Sequence, residues 1–120
     1  TEIDKSYQGE STYMVLPCIF IRLTGCNLRC VWCDTTHAYH DGEKLSIHQI
    51  IDKVKSYNIK LVEITGGEPL LQKEVFPLME SLLKNKSTTQ PIFFYTVVEV
   101  TFSINTTSIG YKFFHLRILI

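Results

Sequence analysis

The stretch PCIFIRLTGCNLRCVWCDT, residues 17–35, runs from an apolar segment through a glycine into three of the chain's four cysteines: Cys26, Cys30 and Cys33. Residues 17–24 carry Ile19, Arg22 and Leu23 with few breakers, which predicts a core strand. Gly25 ends that strand, so the cysteines begin at its C-terminal tip. The spacing C-x3-C-x2-C lacks one ligand for a closed structural zinc site, which takes four. In one reading His37 or His40 supplies the fourth. In the other, three thiolates at this short spacing hold a 4Fe-4S cluster and leave one iron open for a small molecule.

Outward from this loop, the chain alternates strand and helix. Residues 2–13 read as a short strand and loop. Ser46 is an N-cap candidate for a helix over residues 47–57, where Ile47, Ile50, Ile51 and Val54 recur at helical spacing. KLVEIT, residues 60–65, reads as a second strand ended by Gly66 and Gly67, and Val75, Leu78, Met79, Leu82 and Leu83 mark a second helix. Strand, helix, strand, helix implies an α/β fold with parallel strands and crossover helices.

Length and charge narrow the setting. At 120 residues the chain is one modest domain. Lysine plus arginine and aspartate plus glutamate number 12 each, so no global field draws the chain to nucleic acid or to an anionic membrane. No apolar run approaches the roughly 20 residues that span a bilayer, and a cytoplasmic location is expected. Thiols stay reduced there, so clustered cysteines more often bind metal or do chemistry than form disulfides. Cys18 lies outside the motif spacing and is expected to be a small buried hydrophobe.

A second motif, EITGGEPLLQ (residues 63–72), closes the second predicted strand. Paired glycines let a backbone approach a ligand closely, although the same pair also makes an ordinary turn. Two such loops at the C-terminal ends of neighbouring parallel strands are stronger evidence, because ligands bind at that edge.

The cysteine loop resembles the radical S-adenosylmethionine enzymes, and the resemblance implies a partial (β/α) barrel. It further implies that Cys26, Cys30 and Cys33 hold a 4Fe-4S cluster whose open iron binds S-adenosylmethionine, and that the reduced cluster cleaves the cofactor to a 5'-deoxyadenosyl radical. The GGEP segment, here Gly66, Gly67, Glu68 and Pro69, would meet the methionine end of the cofactor. Together with SYQGEST near the start, these stretches are similar to the 7-carboxy-7-deazaguanine synthase family over about residues 2–85. Members of that family are carbon-nitrogen lyases of the queuosine route. They convert 6-carboxytetrahydropterin to 7-carboxy-7-deazaguanine with loss of ammonia, and they require magnesium.

By position, the resemblance assigns pterin contacts to Tyr7, Gln8, Gly9, Arg22 and Thr65, magnesium to Thr35, and cofactor contacts to Trp32, Cys33, Asp34, Gly66, Gly67 and Glu68. An arginine suits a carboxylate because its planar fork pairs bidentately. The implied partners are the pterin, an electron donor such as flavodoxin or ferredoxin, and a second copy of the chain in a homodimer. His37, His40 and His48 receive no family role. A glycyl-radical activase shares the cysteine motif, and a non-catalytic fragment holding zinc or an iron-sulfur cluster is the reading from another class.

The organisation expected is a core over residues 1–85 and a tail over 86–120 that matches nothing in the family's second half. Residues 91–104 and 111–120 are rich in phenylalanine, with Glu99 as the sole carboxylate side chain, and have strand propensity without helical period. The abrupt shift suggests truncation or an altered reading frame.

Overall fold

The computed structural model describes residues 1–9, 13–31, 33–85, 93–98 and 114–118. Seven elements follow in order: β1 (Glu2–Tyr7), β2 (Pro17–Leu23), α1 (Ile47–Ser56), β3 (Leu61–Gly66), α2 (Val75–Lys84), β4 (Phe93–Val98) and β5 (Phe114–Ile118). Single 3-10 turns lie at Thr36–Tyr39 and Pro69–Leu71. The strands form one sheet in the order β1-β2-β3-β4-β5.

The expectation of parallel strands holds for the centre and fails at both sides. β2, β3 and β4 run parallel, whereas β1 is antiparallel to β2 and β5 to β4. Parallel neighbours need a crossover of a dozen or more residues, which α1 and α2 provide. β1 pairs with β2 antiparallel, so the chain reverses direction between them.

α1 starts where a capping box closes it: the Gln49 amide N–H donates to Ser46 Oγ at 3.3 Å, and the Ser46 N–H donates to Gln49 Oε1 at 2.8 Å. Just past its end Asn58 takes a left-handed φ of 50°, a conformation that asparagine tolerates better than most residues. In α2, Pro77 falls in the first turn, where a missing N–H leaves no helical bond unmade.

Both helices pack on one face of the sheet. Ile50, Ile51 and Val54 of α1 and Val75, Leu78, Met79 and Leu82 of α2 close over Ile3, Ile19, Ile21, Leu23, Val62 and Ile64. Each such side chain, fully buried, stabilises the fold by about 1.5–3 kcal/mol. Strand residues alternate faces, so Arg22, Phe20 and Cys18 of β2 and Thr65, Glu63 and Leu61 of β3 share the face away from the helices. No helix among the described residues is long and apolar enough to cross a membrane.

Candidate active site

The cysteine loop leaves the C-terminal end of β2, and the glycine pair leaves that of β3 beside it. Backbone hydrogen bonds lock the two: the Gly67 N–H donates to the Leu23 carbonyl at 3.2 Å, and the Glu68 N–H to the Gly25 carbonyl at 2.9 Å. The Gln72 side-chain amide donates to the Thr24 carbonyl, and the Gly25 N–H to that of Ala38 at 2.8 Å. The base of the cysteine loop is thereby held from both sides.

That closeness explains both glycines. A Cβ on Gly67 would lie 2.7 Å from Cys26 Cβ and 2.9 Å from the Gly25 carbonyl carbon, and one on Gly66 would lie 3.0 Å from the Leu23 nitrogen. Gly25 itself has a φ of 104°, which only glycine adopts without strain.

Cys26, Cys30 and Cys33 are half-buried on this loop and form no disulfide. The Leu28 N–H points at Cys26 Sγ at 3.4 Å, and the Cys33 N–H donates to the Cys30 carbonyl at 3.2 Å. A hydrogen bond from the Tyr39 hydroxyl, then one from the Thr35 backbone, hold the Cys33 thiol below its ordinary value, and the same bond pushes Tyr39 up. Arg29 sits 4.4 Å from the centre of the Tyr39 ring and donates to the Cys26 carbonyl at 2.9 Å. At Cys33 these hydrogen bonds favour the thiolate, the form that binds metal. Among the described residues, no three histidine, cysteine or acidic side chains converge into a metal-holding group, the three loop cysteines included. Three thiols on one loop match the number that holds a 4Fe-4S cluster with one iron open, and are one short of the four ligands of a structural zinc.

Around this junction the remaining expected residues divide. Arg22 and Thr65 face each other in register, one step inside the two loops, on the face away from the helices. Arg22 Nε lies 3.5 Å from Glu2 Oε2, an ion pair half open to solvent that is worth at most about 1 kcal/mol. Thr35 precedes the Thr36–Tyr39 turn with its hydroxyl 4.0 Å from Cys33 Sγ, and Asp34 beside it is exposed. Glu68 accepts from the Leu70 N–H at 3.0 Å and so caps the Pro69–Leu71 turn. Trp32 lies outside the described residues.

Tyr7, Gln8 and Gly9 stand at the opposite edge of the sheet. Tyr7 pairs with Pro17 and Glu2 with Arg22, which puts the segment about 16 Å along β2 from Arg22. Tyr7 and Gly9 are exposed there. Gln8 alone turns inward, where its amide donates to Oε2 of Glu63. Sequence reasoning passed over Glu63, although an acid inside the apolar run LVEIT was a visible signal. It also passed over Tyr39, for which spacing offered none.

The radical SAM superfamily model matches residues 20–115. The chain belongs to the radical SAM superfamily. Within that superfamily, it is 54% identical over 85 residues to a 7-carboxy-7-deazaguanine synthase of Koribacter versatilis, covering 69% of this chain and 38% of that protein. A protein of the same name from Chlorobaculum tepidum is 45% identical over 82 residues, covering 68% and 37%. The crystal structure of QueE from Escherichia coli superposes with a TM-score of 0.62 at 32% identity, over 70% of this chain and 47% of that one. This radical SAM chain thus spans less than half the length of the relatives it matches.

Proposed function

We propose that the chain is the N-terminal portion of a 7-carboxy-7-deazaguanine synthase, a lyase that converts 6-carboxytetrahydropterin to 7-carboxy-7-deazaguanine with loss of ammonia in queuosine biosynthesis. The observation that carries the reading is the junction at the C-terminal ends of β2 and β3. There the cysteine loop and the GGEP segment are hydrogen-bonded to each other directly above Arg22 and Thr65. The sequential order β2-β3-β4, with both crossover helices on one face, is the winding of a (β/α) barrel and supports a partial barrel as the architecture.

Cys26, Cys30 and Cys33 would hold the 4Fe-4S cluster, which when bound supplies the electron that cleaves S-adenosylmethionine. The residues of the chain do the positioning. Gly66 and Gly67 keep side-chain bulk out of the junction, so the cysteine loop and the GGEP segment close directly on each other at the cofactor edge. Arg22 pairs the pterin carboxylate in place of Glu2, and Thr65 offers a hydroxyl beside it. Thr35, with Asp34 next to it, offers hard oxygen ligands to magnesium, which uses few protein groups and keeps waters. Trp32, Asp34 and Glu68 complete the cofactor contacts in this reading, and the segment Tyr7, Gln8 and Gly9 reaches the pterin through Gln8, whose side chain turns inward. A flavodoxin- or ferredoxin-type donor supplies the electron, in the cytoplasm, to a homodimer. Residues 1–85 form the core in this reading, and 86–120 a tail beyond the stretch similar to the synthases, although the superfamily model matches on to residue 115.

Anaerobic reconstitution followed by dithionite, S-adenosylmethionine, magnesium and 6-carboxytetrahydropterin tests this. The expected result is a brown protein with about four irons that yields 5'-deoxyadenosine and the deazaguanine together, and a Cys30→Ala chain without iron. Unchanged iron in Cys30→Ala, or a colourless chain with one zinc, defeats the proposal. Deoxyadenosine without deazaguanine restricts it to the cofactor half of the site.

A further inference from the structure

β3 is apolar on its helix side, where Val62 and Ile64 are core residues. On its other side it buries a carboxylate: Glu63 is 5% exposed, and its partner Gln8 is 6% exposed. The Gln8 amide donates to Glu63 Oε2, while the Gln8 backbone is fixed in the hairpin through its N–H to the Leu16 carbonyl at 2.9 Å and its carbonyl from the Val15 N–H at 2.8 Å. The pair therefore pins the β1–β2 hairpin to the centre of the sheet. Pinning alone does not call for an acid. Two amides would make the same bond without the cost of taking an ionised carboxylate out of water.

What the acid adds is a pattern. Glu63 is two residues before Thr65 on the same face, about 7 Å along β3 from the level of Arg22. Phe20 faces Glu63 in register on β2, so a ring surface lies beside the carboxylate. Cation, hydroxyl, aromatic ring and anion thus follow one another down one face. A flat ligand with a carboxylate at one end and a row of N–H donors at the other matches that sequence of groups.

We infer that Glu63, oriented by Gln8, is the specificity-determining residue for the amino-pyrimidine edge of the pterin, accepting from its 2-amino and adjacent ring N–H while Arg22 takes the carboxylate. The inference rests on the pterin reading of this site. A carboxylate accepting from two neighbouring N–H groups makes the charge-assisted bidentate pair that distinguishes a 2-amino from a 2-oxo heterocycle.

The test is equilibrium binding of pterin-6-carboxylate and of lumazine-6-carboxylate, its 2-oxo counterpart, to the anaerobically reconstituted chain and to its Glu63→Gln variant. The glutamine still accepts from Gln8, so the hairpin pin is kept and only the charge is lost. Wild type binds the pterin more tightly than the lumazine. Glu63→Gln is expected to weaken pterin binding about ten- to hundred-fold, the range for a hydrogen bond to a charged group, and to erase the preference between the two. Melting temperature holds or rises, since the buried charge is gone, and S-adenosylmethionine affinity stays at the wild-type value. Equal pterin affinity in the two proteins, or no preference in wild type, overturns the role of Glu63 and leaves the pterin reading standing. A wild-type chain that binds S-adenosylmethionine and neither heterocycle overturns the pterin reading, and this inference with it.

Discussion

Replacing Gly67 by alanine tests whether the contact between the two motif loops is a packing requirement. The added Cβ would be 2.7 Å from Cys26 Cβ and nearer still to the Gly25 carbonyl oxygen, so the backbone must move. Overpacking of this kind costs about 1–3 kcal/mol. Movement also weakens the bonds from Gly67 N–H to Leu23 and from Glu68 N–H to Gly25, each worth about 1 kcal/mol net. Alanine lowers the entropy of the unfolded chain and returns about 0.4–1 kcal/mol. The net loss is about 2–3 kcal/mol, which lowers the melting temperature by roughly 10 °C in a domain of this size. Gly9→Ala is the control, because nothing among the described residues lies within 4 Å of its Cβ position, and its melting should hold or rise by that same unfolded-state gain. Thermal unfolding of both variants, followed by circular dichroism, checks this. A Gly67→Ala chain melting within about 2 °C of the Gly9→Ala chain would refute the packing argument, since that gap is under 1 kcal/mol.

Cys18 is fully buried, and burial first, then the Glu63 carboxylate, push its thiol up to about 12 from 9.0. At pH 8 this leaves about a thousandfold less thiolate than an ordinary cysteine has, so iodoacetamide should label Cys26, Cys30 and Cys33 of the apo chain and spare Cys18 until denaturant is added. Because the folded state keeps that proton longer than the unfolded state, stability is intact below pH 9 and falls between pH 9 and 12, by about 1.4 kcal/mol per pH unit for one proton. A Cys18→Ala chain should show a shallower alkaline loss in urea titrations. Ser46→Ala removes the acceptor of the α1 capping box and should cost about 1 kcal/mol in the same titrations, with Ser46→Asp restoring most of it.

The elements that position the site were legible because their signals are local. Ser46, the Ile50, Ile51 and Val54 stripe, and the glycines that stop β2 and β3 all act over a few residues, and the observed boundaries fall within one residue of those read from the sequence. The cysteine spacing was legible for the same reason. What escaped was set by pairing between distant segments. The antiparallel course of β1 follows from how the hairpin closes on β2, and it carries Tyr7 and Gly9 to the far edge of the sheet from Arg22. Glu63 escaped for a related reason. A lone acid in a strand reads as a solvent-facing residue until the sheet shows that its face is enclosed and that Gln8, 55 positions away, meets it.

The cysteine and glycine loops sit on neighbouring strands joined by a single helix, and every group that locks them lies between Leu23 and Gln72. On a ribosome adding about 5–20 residues per second, the junction has all its parts seconds before β4 and β5 are available to pair. Metal delivery during synthesis would thus meet an assembled thiol loop whose sheet is still open on one side. In that order of events, loading the site precedes closing the fold.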